Sequence, residues 1–128
     1  MVLLVTGGAG YIGSICVETL INREHTVIVI DNLQEGHRKA LHSQAFFYEG
    51  DYGDRSLLET IFGKHPIDAV IHFAADTRVE QSMNDPGRFF LNNVINGITL
   101  LDVMRSHGCT RMIFSSTASI FGEPRYNP

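Results

Sequence analysis

The chain has 128 residues, 44% of them hydrophobic and 19% charged, which suits one globular domain with a single core and excludes a disordered chain. A formal net charge of −4 leaves no basic surface for nucleic acid, and no apolar run approaches the roughly 20 residues that cross a membrane. Met1 runs straight into apolar residues with no basic leader, and Cys16 and Cys109 stand far apart, so a cytoplasmic protein with reduced thiols is expected.

The opening Val2–Thr6 run reads as a buried strand, and Gly7-Gly8-Ala9-Gly10-Tyr11-Ile12-Gly13 turns it into a helix over residues 12–22. Such a turn predicts a bound dinucleotide. Gly8 is expected to allow the tight turn, Gly10 to let the backbone approach a pyrophosphate, and Gly13 to let the helix pack on the strand. The helix N-terminus then offers free N–H groups to the phosphates. Both Gly8-x-Gly10-x-x-Gly13 and Gly7-x-x-Gly10-x-x-Gly13 can be read here.

A second strand at 26–30 ends in Asp31, 18 residues beyond Gly13. A carboxylate at that tip accepts the hydroxyls of an adenosine ribose and repels a 2′-phosphate. Asn32-Leu33 follow with no arginine, so NAD is expected over NADP. The polar stretch that follows carries Gly36 and a weak helical signal at 37–42. Strands are expected at 45–48, 68–73 and 111–115, with a short helix at 56–62 and Asp85-Pro86-Gly87 as a local turn. A long amphipathic helix at 91–107 repeats Leu91, Val94, Ile98 and Leu101. Strands alternating with helices imply an α/β fold over 1–128, a Rossmann-type doubly wound parallel sheet in the order 3-2-1-4-5 with helices on both faces.

In such a sheet the ligand lies outside the carboxyl ends of the strands. The residues there are Asp31-Asn32, Gly50-Asp51-Tyr52, Phe73-Ala74-Ala75 and Ser116-Thr117-Ala118. Asp51 suits an adenine amino group, and the small Ala74 and Ala75 let a cofactor pass close over the sheet. Each alone reads equally as a strand-end cap. The six histidines show no ligand spacing, so no metal is expected, and His72 reads as a satisfied core histidine.

Taken in order and spacing, residues 5–14, Asp31-Asn32-Leu33, Glu49-Gly50-Asp51, residues 70–75, Asn92-Asn93-Val94 with Asn96-Gly97, and residues 114–124 resemble the extended short-chain dehydrogenases. Within them the chain is most similar to the UDP-glucose 4-epimerase family. The resemblance implies that Gly7, Gly10, Tyr11, Ile12 and Gly13 meet the pyrophosphate of NAD. It places Asp31, Asn32, Leu33, Gln34, Glu35 and Gly36 around the adenosine ribose and Asp51 with Tyr52 at the adenine. Phe73, Ala74, Ala75, Asp76, Thr77 and Asn92 would line the cofactor toward its nicotinamide. Thr117 takes the position of a hydroxyl that binds the sugar and serves catalysis.

The implied reaction interconverts UDP-glucose and UDP-galactose through a 4-keto sugar, with a tyrosine as base and a lysine four residues later lowering its pKa. The chain stops at Pro128 before any such Tyr-x-x-x-Lys, and Tyr126 cannot substitute. The expectation is therefore an NAD-binding part without turnover of its own, truncated before a sixth strand, with the UDP-sugar held mostly by an absent half. Homodimerisation through the 91–107 helix is implied as well. Ile15 and Thr77 depart from the histidine and lysine that relatives often carry. Alternatives are a non-catalytic NAD-binding module, or a sugar-nucleotide dehydratase or decarboxylase; a dehydratase would show Asp-Glu where this chain has Ala118-Ser119.

Overall fold

The computed structural model describes residues 1–116 together with Gly122 and Tyr126. Thr117, Ala118 and Ser119 lie outside the described residues. Five strands form one parallel sheet: β1 (Val2–Thr6), β2 (Thr26–Asp31), β3 (Phe46–Glu49), β4 (Ala69–His72) and β5 (Met112–Phe114), in the order β3-β2-β1-β4-β5. This is the expected order, with parallel neighbours joined by crossover connections.

Period-two alternation sends the strand side chains to two cores. On one face Leu4, Ile28, Ile30 and Val70 pack with Leu58, Ile61 and Phe62 of α2 (Arg55–Lys64) and with Leu100, Val103 and Met104 of α5 (Asn96–Ser106). On the other, Val5, Val27, Val29 and Ile71 meet Val17 of α1 (Tyr11–Asn22). Asp54 starts α2 by accepting the N–H groups of Ser56 and Leu57 at 2.9 and 3.2 Å, and those bonds hold its carboxyl below the usual range.

The segment 79–95 departs from expectation. The sequence suggests a turn at Asp85-Pro86-Gly87, yet the chain forms α3 (Val79–Asn84), α4 (Pro86–Phe90) and a π-helical turn, Leu91–Ile95, that runs into α5. Asp85 is a helix cap: its Oδ1 accepts the Arg88 N–H at 3.2 Å, and Pro86 occupies the first helical position, where its missing N–H costs nothing. The apolar repeat also faces the other way. Leu91, Val94, Ile98 and Leu101 are exposed, while the core takes Leu100, Val103 and Met104. The repeat is a true helical stripe, but the sheet already receives a full set of contacts from the opposite side of α5.

Candidate functional site

The strand ends converge on one cleft that is open to solvent. Its floor is the glycine turn. Gly7 takes φ +72°, and a Cβ there would sit 2.8 Å from the Ala74 backbone nitrogen, so only glycine fits. The tight turn thus belongs to Gly7, not to Gly8 as the sequence suggested. Gly8 is small for a different reason: a Cβ would run into the Val29 side chain of β2 at 2.6 Å. At Gly10 an added Cβ would meet only the Gly7 carbonyl, at 3.3 Å, so this position is open toward the cleft. A Cβ on Gly13 would collide with that same carbonyl, which is the expected close packing of α1 on the turn.

Gly10 is the N-cap of α1 without a side-chain cap bond, and the first-turn residues Tyr11 and Ile12 are exposed. Their N–H groups have no intrahelical acceptor and are free for an anion. The helix dipole adds positive potential at that point.

Asp31 closes the β2 side. It is only 8% exposed; its Oδ2 accepts the Ala9 N–H at 2.9 Å and its Oδ1 the Leu33 N–H at 2.9 Å. Each oxygen retains a lone pair for a further donor. The Ala9 carbonyl in turn accepts the His37 N–H at 3.0 Å, so the loop after β2 is stitched to the glycine turn along both sides of Ala9. A Cβ on Gly36 would lie 2.9 Å from Ala9, which explains the glycine. Asn32, Gln34, Glu35 and Gly36 line the cleft beside Asp31; Leu33 bridges them at φ +58° and does not line it.

Tyr52 forms part of the wall. It is buried, its hydroxyl donates to the Asn92 carbonyl, and its ring meets His72 edge-on at 4.9 Å. Burial and the charges of Asp51 and Asp76 push its phenol pKa upward, so it stays a neutral donor. Asp51 itself does not line the cleft: its Oδ1 accepts from the Gly53 N–H at 2.7 Å and from Asn96 Nδ2 at 3.0 Å. His72 is a core histidine, as expected. It shares a 2.6 Å hydrogen bond with Thr6, and burial lowers its pKa, keeping it neutral.

After β4, Phe73, Ala74, Ala75 and Asp76 line the cleft with Asn92 opposite, while Thr77 is exposed outside it. Sequence reasoning missed several contributors. Ile30 lines the wall beside Gly50, which the sequence itself places at a strand end. Arg88 pairs with the Asp76 carboxylate at 3.2 Å, and Arg78 reaches Glu35 at 2.8 Å, joining the loops after β4 and β2. Asn93 holds the backbone of Asp76 on both sides. These partners are remote in sequence, so no local pattern marks them. Among the described residues there is no cluster able to hold a metal ion, and no helix is long and apolar enough to cross a membrane.

Comparison with known proteins fits this geometry. A family model described as the NAD dependent epimerase/dehydratase family matches residues 3–128. The chain belongs to this family. Among epimerase/dehydratase relatives it is 52% identical over 124 residues to the UDP-glucose 4-epimerase of Halalkalibacterium halodurans, covering 97% of this chain and 37% of that protein. It is 46% identical over 128 residues to the UDP-glucose 4-epimerase of Lacticaseibacillus casei, covering 39% of it. The UDP-glucose 4-epimerase of Bifidobacterium longum, solved in complex with NAD+ and UDP, superposes with a TM-score of 0.90 at 34% identity, over 100% of this chain and 40% of that one. The Thermotoga maritima enzyme, solved with UDP-glucose, gives 0.90 at 41% identity over 93% of this chain and 38% of its own. The chain therefore spans about two fifths of the length of the relatives it matches.

Proposed function

We propose that this chain is the NAD-holding part of a cytoplasmic UDP-glucose 4-epimerase. The observation that carries the reading is the placement of Asp31: a carboxylate, nearly buried, at the β2 tip beside the glycine floor and the uncapped start of α1. The residues fit a dinucleotide in sequence along the cleft. Asp31 would accept the adenosine ribose hydroxyls and disfavour a 2′-phosphate, the free N–H groups of Tyr11 and Ile12 would meet the pyrophosphate over Gly10, and Ala74 and Ala75 would leave room for the far end. Asp51 does not line the cleft and its oxygens meet Gly53, Asn96 and Asn32, so Tyr52 rather than Asp51 would stand beside the adenine.

When bound, NAD would supply a reversible hydride acceptor for C4 of the sugar, the step through which UDP-glucose and UDP-galactose interconvert by way of a 4-keto sugar. Thr117 would hydrogen-bond the sugar hydroxyl. The 128 residues contain no Tyr-x-x-x-Lys, so they supply no base for that hydroxyl, and this chain by itself is proposed to turn over no sugar. The exposed stripe of Leu91, Val94, Ile98 and Leu101 would serve homodimer formation.

Calorimetric titration with NAD and NADP tests the assignment. NAD is expected to bind at least about tenfold more tightly, the order of discrimination that one charge opposed to a phosphate provides. Equal affinities, or no binding of NAD, would overturn it.

A further inference from the structure

The loop after β4, residues 73–78, has no regular secondary structure, yet its residues 73–76 line the cleft. Backbone without a ladder needs other partners to stay in one place. Asn93 supplies them. Its Oδ1 accepts the Asp76 N–H at 2.8 Å and its Nδ2 donates to the Asp76 carbonyl at 2.8 Å, so one side chain satisfies both backbone groups of a single residue. Asparagine suits the task because its amide carries a donor and an acceptor side by side.

The π-helical turn brings this about. At its end the Asn96 N–H bonds the Leu91 carbonyl, five residues back, instead of that of Asn92, and the Asn92 carbonyl takes the Tyr52 hydroxyl. Asn92 Nδ2 then donates to Asn93 Oδ1 at 3.1 Å. Consecutive asparagines are thereby turned toward the cleft wall, one to each of the loops that follow β3 and β4. Widened turns of this kind are found at functional sites more often than chance allows.

A dinucleotide with its adenosine at Asp31 and its pyrophosphate at the start of α1 extends its remaining half over β4. We propose that Asn93 is a positioning residue for that nicotinamide half, acting through the backbone of Asp76. The inference rests on the NAD reading above. It predicts a selective defect, because the loop after β2 is tied to the glycine turn through Ala9 and Asp31 without Asn93, and the Arg78–Glu35 pair that joins the two loops is solvent-exposed and weak.

The test compares two ligands on the same protein: NAD, which would span both ends, and ADP, which would occupy only the β2 side and the glycine turn. Asn93→Ala is expected to weaken NAD about tenfold, the order of effect of two hydrogen bonds of ordinary net strength, and to leave ADP within about twofold. A merely structural loss would weaken both ligands in parallel. If Asn93→Ala does not fold, Asn93→Asp keeps the acceptor for the Asp76 N–H but removes the donor, and is expected to show the same selective loss of NAD. Parallel loss of both ligands, or no change in either, overturns the inference. Failure of the unsubstituted chain to bind NAD overturns the cofactor assignment, and this inference with it.

Discussion

The two ends of the cleft are built by opposite means. At the β2 end a buried carboxylate, Asp31, gathers the backbone N–H groups of Ala9 and Leu33, and every partner lies within the first two strands and their connections. At the β4 end the loop is held by Asn93 and Arg88, from a helical segment that also leaves Val79, Met83, Phe90 and Leu91 exposed. At the first end the buried bonds are local, and only exposed contacts, Arg78 with Glu35 and Asn32 with Asp51, come from farther along the chain. The second depends on groups brought from farther along the chain, and its uncovered apolar surface exceeds what scattered surface residues need. An adenosine half can thus be recognised by local structure, whereas the half that would meet a substrate borrows its order.

The largest test of this contrast strikes the floor common to both ends. Gly7→Val places a β-branched residue at φ +72° and against Ala74, and is expected to cost about 3 kcal/mol or more and to abolish ligand binding at either end. The shift of the urea midpoint, together with NAD and ADP titrations, measures it; a stable variant that still binds ADP would break the idea of a shared floor.

A smaller effect separates the ends. Asp31→Ala leaves two backbone donors without their acceptor and is expected to cost about 2–3 kcal/mol of stability. It should weaken ADP as much as NAD, the reverse of the selectivity expected for Asn93. A variant that loses NAD alone would show that the carboxylate does not define the adenosine end.

The smallest effect concerns His72, beneath the junction between the ends. Burial lowers its pKa in the fold from the ordinary 6.5, so above that pH both folded and unfolded chains hold it neutral and it contributes no pH dependence. Below it the unfolded chain takes up a proton that the folded one refuses, and stability falls as the pH drops. The slope from this residue is at most about 1.4 kcal/mol per pH unit, one proton's worth. Urea midpoints followed from neutral to mildly acidic pH should decline less in His72→Asn than in the unsubstituted chain; identical slopes would mean that His72 takes up its proton as readily in the fold as in the unfolded chain.

What could be read from the sequence follows the same division. The β1, glycine turn, α1 and Asp31 arrangement was legible because its chemistry is local and its spacing is set by one βαβ unit. Even there the tight turn was read at Gly8 instead of Gly7, since both spacings were open and only the approach of Ala74 and Val29 distinguishes them. The helices after β4 were partly legible: Asp85 followed by Pro86 is a helix-start signal as well as a turn signal. The π-helical turn left no trace, because an extra residue in one turn does not disturb the apolar repeat enough to be seen. Asn93 was invisible as a functional residue, for its partner is 17 positions away and is backbone, which carries no side-chain identity to read.

The place of β1 in the sheet has a consequence for the chain during its synthesis. It lies at the centre, paired to β2 on one side and β4 on the other, yet it is made before the other four. Its pairing with β2 can follow soon, but Leu3 meets Ala69 only after 66 further residues, roughly 3–13 s of translation at ordinary rates. Throughout that interval an apolar strand presents one open edge, so the nascent chain is vulnerable to mispairing before β4 leaves the ribosome, and slowing translation ahead of residue 69 would prolong the exposure.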